Sequence, residues 1–510
     1  MWFKGSMTWR IKERLRKLAA KERGQVAKDW GGKTSVALCY PNTYRVGMGN
    51  LAVHSIYDIL NRSPAIACER AFLPGRFELH EHHAAGTPVL SIESQRPLGD
   101  FDVIALTCSF ENDYLNIIPI LGLSHIPHRA EERRKDAPLI IAGGAAVTLN
   151  PAPLSRIADA VFAGEFEAFA GELVPILMAG MTKREALAAL AKVPGVTVGS
   201  AHAGVTRRHA EGLNSFKTQT VVHARNVEFG DMHLIELQRG CPRNCRFCAT
   251  PIIYGTPRSR NIAAVMAMVD DGIPHRKRFG LIGADIFSHP EFTEIARAIH
   301  ERGATFSPSS VRVDAIDTEK ARLLHDSGHK SVALGIEAGS EGLRRTLGKG
   351  ISDERILSAI ATLAQAGIMK LRLYFMIGLP GETDGDVAAI VAIAARVRDE
   401  LRRAAPRSHR VTAVDITVTP FVPKPHTPFA TRSFAGEGAL KMKVKGLRRL
   451  LAAEAGISMR TDSAVEAAIE SLIANGDENV VEFLEEAHRL GNTRKAMKAP
   501  MGNIPLKSNS

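Results

Sequence analysis

The chain has 510 residues, 45% of them hydrophobic and 24% charged, enough length and apolar content for two or three cored domains. No apolar run approaches the roughly 18 residues of a bilayer-crossing helix, and the N-terminus lacks the apolar segment of a secretory signal, so a cytoplasmic location is expected. Net charge is +12, but residues 1 to 33 hold ten Lys and Arg against three acids, and residues 491 to 510 hold four against none. The near-neutral body excludes a nucleic-acid groove on charge grounds and leaves only the basic tails for such a partner.

Residues 1 to 33 read as a basic leader, with an amphipathic helix expected from Trp9 to Lys28, either solvated or lying on RNA, a membrane or a partner. From Thr34 short apolar runs alternate with helical periodicity. Strands are expected at Thr34 to Cys39, Ala65 to Phe72, Phe101 to Cys108, Pro138 to Ile141 and Val161 to Gly164. A helix is expected at Leu51 to Asn61 and another from Phe166 to about Leu190. Alternating strands and helices predict a doubly wound parallel sheet over 34–195, whose ligands gather at the C-terminal strand ends, where Gly143-Gly144 and Gly164-Glu165 fall.

Three segments carry a resemblance here: Tyr40-Pro41-Asn42-Thr43-Tyr44-Arg45-Val46-Gly47-Met48, Gly143-Gly144 through Asn150-Pro151, and Gly164-Glu165-Phe166-Glu167. They resemble the cobalamin (B12)-binding-like, flavodoxin-like domain that precedes many radical SAM cores. The resemblance implies cobalamin as a cofactor of the loops at Gly143, Gly144, Gly164 and Glu165. Domains that replace the lower axial ligand of cobalamin carry Asp-x-His-x-x-Gly after the first strand, and this loop has no histidine. Any cobalamin is therefore held without a protein histidine, or the fold has lost the cofactor. Glu81-His82-His83-Ala84-Ala85-Gly86 imitates the motif but follows the second strand, and it reads as a solvated His-rich turn in a loop.

Residues 196–230 lack periodicity and read as a connector. A second series then begins, with strands expected at His233 to Gln238, Phe279 to Ile282, Thr305 to Val311, Ser331 to Ile336, Lys370 to Ile377 and Val411 to Val418. The first of them delivers Cys241, Cys245 and Cys248. Three thiolates on one short loop can each bind one iron of a cubic [4Fe-4S] cluster, leaving the fourth iron for the amino and carboxylate groups of S-adenosylmethionine (SAM). A zinc site would want a fourth Cys or His at regular spacing, and a disulfide would leave one thiol unpaired.

Cys-x-x-x-Cys-x-Phe-Cys is the signature of radical SAM enzymes, and six strand-helix units over 231–435 resemble their partial (β/α)6 barrel. The resemblance implies a [4Fe-4S] cluster, SAM, an electron donor such as flavodoxin or ferredoxin, and an unknown substrate. It places Phe247 against the cofactor, and Gly283-Ala284-Asp285 where the family keeps a Gly-Gly-Glu-like segment beside the SAM amino group. Ser310 and Arg312 are expected at the SAM carboxylate, with a plain Arg312–Asp314 ion pair as the alternative. Glu337 is expected at the ribose hydroxyls, with a capping or salt-bridged Glu as the alternative. Gly378 and Pro380 of Gly378-Leu379-Pro380-Gly381-Glu382-Thr383 are expected beside the adenine. In Thr419-Pro420-Phe421-Val422-Pro423-Lys424-Pro425-His426-Thr427-Pro428-Phe429 the prolines stiffen a loop. The phrase resembles a hallmark of one radical SAM subfamily with such an N-terminal domain, which places Lys424 and His426 on the substrate side.

Helices are expected at Leu440 to Ala455 and Ala464 to Leu490, making 436–490 a helical region before a polar tail at 491–510. The function expected is reductive cleavage of SAM to a 5′-deoxyadenosyl radical, with cobalamin-linked methyl transfer as its sharper version. The alternatives are a methylthiotransferase, with a second cluster on Cys39, Cys68 and Cys108, and a non-catalytic Fe-S sensor or scaffold. Buried apolar roles for those three cysteines speak against the first.

Overall fold

The computed structural model describes residues 2–199, 205–309, 311–405 and 413–498. Two compact units form. One holds Met1–Gly212, Phe216–Asp231 and the segment from Leu472, and the other holds Leu213–Ser215 and Met232–Ser471.

In the first unit β1 (Thr34–Thr43), β2 (Ile66–Leu73), β3 (Val103–Thr107), β4 (Leu139–Gly143) and β5 (Ala160–Phe162) form a parallel sheet in the order β2-β1-β3-β4-β5. Val36 to Tyr40 are buried without alternation, as in a strand covered by helices on both faces. This is the doubly wound order whose direction switches between β1 and β3, where ligand crevices open. The connector expected after residue 195 instead supplies β6 (Val196–Val198), which caps the β5 edge in antiparallel register. Pairing with a three-residue neighbour, not apolar periodicity, makes it a strand.

Three further expectations of this unit change. The leader helix runs Trp2–Ala19, not from Trp9 to Lys28. After it the chain turns inward so that Glu22, with Glu93, encloses the buried guanidinium of Arg70 at 2.6 and 2.7 Å. The helix expected from Phe166 to Leu190 is two, Phe166–Met178 and Lys183–Leu190, the second restarted by a reciprocal Thr182–Glu185 cap. The His-rich segment is not a loop but the last turn of helix Arg76–Ala85. His82 is buried there against the Thr87 and Pro88 carbonyls, and His83 faces solvent. Helix Val480–Leu490 also belongs to this unit, burying Phe483 and Leu484 against Ile117–Leu123.

In the second unit β7 (His233–Glu236) continues into β8 (Gln238–Arg239), which forms an antiparallel ribbon with β9 (Arg258–Ser259). The parallel strands are β10 (Arg278–Ile282), β11 (Thr305–Pro308), β12 (Ser331–Glu337), β13 (Lys370–Ile377), β14 (Ala413–Pro420) and β15 (Ile457–Thr461). They pair as β7-β10-β11 and β12-β13-β14-β15, and a parallel bridge between Val311 and Leu334 links the two sets. This is the partial β/α barrel expected, with β15 as an additional strand between two anticipated helices.

Strands β12, β13 and β14 alternate strictly. Leu334, Leu373 and Ile416 are buried with the helix side chains, for example Ile360 and Ile390. The opposite face carries Glu337, Arg372, Tyr374, Asp415 and Thr417, none of them fully buried. A polar inner face over an apolar outer one suits a barrel whose interior receives a ligand. The helix expected over Leu440 to Ala455 is Glu437–Leu451. That over Ala464 to Leu490 breaks around Gly476 into Ala464–Asn475 and Val480–Leu490.

Candidate functional site

The cysteine loop leaves β8 and returns through helix Thr250–Tyr254 to β9. Cys241, Cys245 and Cys248 are all free and partly exposed. Their loop is held by the Leu347–Gly350 turn, which follows the short helix Glu341–Thr346. The Arg246 amide donates to the Leu347 carbonyl at 2.9 Å, and a Cβ on Gly348 would stand 2.8 Å from the Asn244 carbonyl oxygen. Gly348 has φ +72°, so the turn needs glycine both for its left-handed backbone and for this close approach. Phe247 packs on an apolar platform of Ala338, Leu343, Leu347, Leu379, Phe421 and Phe429, and the Arg246 guanidinium lies 5.0 Å from the Phe429 ring.

Burial pushes the Cys241 and Cys245 thiols up, while Lys349 and Arg312 pull Cys245 down. Arg312 Nη1 is 4.0 Å from Cys245 Sγ, and Cys248 Sγ donates to Thr250 Oγ1 at 3.2 Å. Among the described residues no three Cys, His, Asp or Glu side chains are disposed around one metal ion. Three soft ligands beside two cations fit an anionic iron-sulfur group.

The expected cofactor residues gather at the strand ends. Asp285 follows β10 with its side chain sealed. Oδ2 accepts from Arg243 Nε at 3.0 Å and lies 4.0 Å from Arg312 Nε, and Oδ1 is buried without a hydrogen bond. An unsatisfied carboxylate oxygen at this position is an acceptor for an incoming donor. Gly283 and Ala284 form the turn before it. Arg312 makes the Asp314 pair, with contacts of 2.9 and 2.8 Å, and also faces Asp285 and Cys245. Ser310 lies outside the described residues.

Glu337 sits at a bulge in the β12–β13 pairing with φ +74°, an unfavourable backbone for a non-glycine residue that turns its carboxylate back over Gly335. It pairs with Lys349 at 2.6 Å, as the salt-bridged alternative anticipated. Gly378 and Pro380 line a cavity of about 320 Å³ with Leu379, Arg432 and Lys443. Its floor is fixed by Glu382, which accepts from the Gly378 amide at 2.8 Å and pairs with Lys443 at 2.8 Å. Lys424 is held by Glu470 at 2.8 Å, and His426 is exposed with φ +63°.

In the first unit the expected cobalamin loops are partly occupied by the chain's own backbone. A Cβ on Gly144 would overlap the Cys108 carbonyl, to which Gly143 is neighbour at the β4 end. One on Gly164 would overlap Arg208, with which Gly164 forms a parallel bridge. The buried Glu165 carboxylate accepts from the Ala210 amide at 2.9 Å. At the β1–β3 switch Asn42 donates to Asp113 at 2.8 Å, and burial raises the Asp113 carboxyl to about 6. Asp113 Oδ2 and the Tyr114 hydroxyl are buried there without hydrogen bonds. No histidine stands in the loop after β1.

Sequence reasoning missed Arg243, Lys349 and Gly348. The third had a visible signal, because Gly348-Lys349-Gly350 places two glycines round one cation directly after a short helix.

Residues 235–394 match the family model of the Radical SAM superfamily, and residues 52–199 match that of Radical SAM proteins, N-terminal. An uncharacterized protein of Methanocaldococcus jannaschii is 28% identical over 457 residues, covering 88% of this chain and 90% of that one. A putative methylthiotransferase of the same organism is 29% identical over 164 residues, covering 30% of this chain and 36% of that one. Among solved structures, the radical S-adenosylmethionine methyltransferase TsrM of Kitasatospora setae, with cobalamin and a [4Fe-4S] cluster bound, aligns with a TM-score of 0.57 at 14% identity. The alignment covers 92% of this chain and all of that one. With both family models in chain order and the doubly wound sheet and partial barrel beneath them, the chain belongs to the radical SAM superfamily, its core at 235–394 preceded by the family's N-terminal domain at 52–199.

Proposed function

We propose that Cys241, Cys245 and Cys248 hold a [4Fe-4S] cluster and that this chain uses it on SAM to initiate radical chemistry. The observation that carries the reading is the sealed Asp285 carboxylate, with one oxygen unpartnered, beside Arg243, Arg312 and a three-cysteine loop. When bound, the cluster supplies the electron that cleaves SAM to methionine and a 5′-deoxyadenosyl radical, the electron coming from a flavodoxin- or ferredoxin-like donor. The chain's own residues bind and orient. Asp285 accepts from the SAM ammonium, Arg312 faces its carboxylate, Glu337 accepts from the ribose hydroxyls, and the Gly378–Pro380 turn receives the adenine. The Phe247 platform excludes water from the thiolates, and the polar face of β12–β14 is the substrate side, with Lys424 and His426 at its margin.

Cobalamin-linked methyl transfer is the finer version, supported by the likeness in fold to the methyltransferase TsrM, which carries both cobalamin and a [4Fe-4S] cluster. A second cluster on Cys39, Cys68 and Cys108 has no support. Cys68 pairs with Val36, three residues before Cys39 on β1, so it stands about 10 Å further down the sheet. All three thiols are buried, and burial pushes that of Cys39 up to about 12.

The test is anoxic reconstitution followed by iron counting and incubation with SAM and dithionite. Four irons per chain and 5′-deoxyadenosine are expected, and each single Cys→Ala change in the trio should remove both. Eight irons would favour the methylthiotransferase reading, and four irons with no SAM cleavage would favour a non-catalytic protein. Survival of iron and cleavage in Cys245→Ala would refute the assignment.

A further inference from the structure

A second cavity lies wholly within the first unit, on the β2 side of β1 and so away from the β3–β4 loops already described. It has a volume of about 720 Å³ and is roofed by the helix Trp2–Ala19 and walled by the C-terminal ends of β1 and β2. That size suits a small organic ligand, since such sites occupy roughly 300–1,000 Å³. The lining is largely apolar, with Ile11 and Leu15 on the roof helix and Phe72, Val89, Leu90 and Ile92 from the rest of the wall.

The rim is cationic, and its charges divide cleanly. Arg14 is engaged by Glu78 at 3.3 Å and Glu81 at 2.5 Å, and Lys17 by Glu13 at 3.7 Å, so both rim carboxylates are already matched. Arg10, Lys21 and Arg45 line the same opening, are exposed, and have no acidic partner among the described residues. Trp9 stands beside them, 60% exposed on the roof helix. Trp9 and Arg10 stand on the leader helix, Lys21 just beyond its end and Arg45 directly after β1, so three parts of the chain contribute to this rim.

We infer that this cavity binds an amphipathic organic anion, an alkyl or prenyl chain carrying a phosphate or carboxylate head, with the chain against the Phe72–Leu90 wall and the head at the cationic rim that Arg10, Lys21 and Arg45 line. Charge complementarity selects an anionic head, because the rim carries Arg10, Arg14, Lys17, Lys21 and Arg45 against only Glu13 and Glu78. The apolar lining selects the tail, because apolar surface rewards burial in proportion to area. The head chemistry is shared by free amphiphiles and by lipids in a bilayer, and the roofed cavity favours the free molecule.

The test is calorimetric titration of the full chain with decyl phosphate below its micelle concentration, with decanol, with inorganic phosphate, and sedimentation with vesicles of phosphatidylcholine and phosphatidylglycerol. Decyl phosphate should bind saturably, at least tenfold more tightly than decanol or phosphate, and should perturb a fluorescence signal that is lost in Trp9→Phe. The combined Arg10→Ala, Lys21→Ala, Arg45→Ala variant should weaken decyl phosphate at least tenfold with an unchanged thermal midpoint. Equal binding of inorganic phosphate would overturn the inference, as would unchanged affinity in the triple variant. Vesicle sedimentation without saturable decyl phosphate binding would overturn it in favour of a membrane contact.

Discussion

Replacing Gly348 with Ala tests whether the turn after helix Glu341–Thr346 positions the cysteine loop, and Gly350 supplies an internal control. Both residues are left-handed, with φ +72° and +59°, so alanine at either costs about 1–2 kcal/mol of backbone strain. They differ in surroundings. A Cβ on Gly350 meets no atom within 4 Å, whereas one on Gly348 stands 2.8 Å from the Asn244 carbonyl oxygen and 3.4 Å from Arg246 Cγ. Restoring ordinary contact moves the loop by at least about half an ångström, and with it Cys245, which lies between those two residues. For a unit of this size 1–2 kcal/mol is a fall of about 2–8 °C in melting temperature. Gly350→Ala should show that fall and retain four irons after anoxic reconstitution. Gly348→Ala should show at least the same fall and lose more than half its iron. Equal iron contents in the two variants would refute the claim that this turn sets the thiol positions.

Asp285→Asn keeps the shape but removes the charge that faces the predicted SAM ammonium. SAM affinity should fall roughly 10- to 100-fold with iron content unchanged, as read by equilibrium binding to reconstituted protein. His54 is buried, with Nε2 donating to the Met48 carbonyl and Nδ1 accepting from the Val221 and Val222 amides, and burial lowers it to about 4. Because the folded value lies below the unfolded one, its contribution is complete above about pH 6.5 and lost as pH falls toward 4. The loss is up to about 3 kcal/mol, so urea unfolding of the first unit should steepen over that window and flatten in His54→Gln. Arg70→Met leaves Glu22 and Glu93 buried without their cation and should cost about 3–5 kcal/mol by thermal unfolding.

What the sequence made legible follows from what leaves a linear signal. Strands β1, β3, β12 and β13 are apolar or strictly alternating runs bounded by turn residues, and the cysteine trio is a fixed spacing on one loop, so both could be read directly. Strands β6 and β15 are short and only partly buried, and become strands because a neighbour's edge accepts them. The His82–His83 segment looked like a ligand motif because composition does not reveal that Gly86 ends a helix there. Gly164 and Glu165 matched a cofactor pattern, yet they are engaged by Arg208 and Ala210, more than forty residues later in the chain, and Gly164 also by Thr148. Arg243 and Lys349 act through carboxylates on other loops, and pairing across such distances has no periodicity to detect.

The first unit is finished only by the segment from Leu472, which includes helix Val480–Leu490. Asn150 donates to the carbonyls of Ala474 and Gly476, and Phe483 and Leu484 fill the surface over Ile117–Leu123. On the ribosome the doubly wound sheet must therefore wait, with that surface uncovered, until some 240 residues of the other unit have been synthesised. A stop codon just after Ser471 would spare every barrel strand and yet injure the opposite end of the polypeptide, so premature termination in this gene should be felt first where translation began.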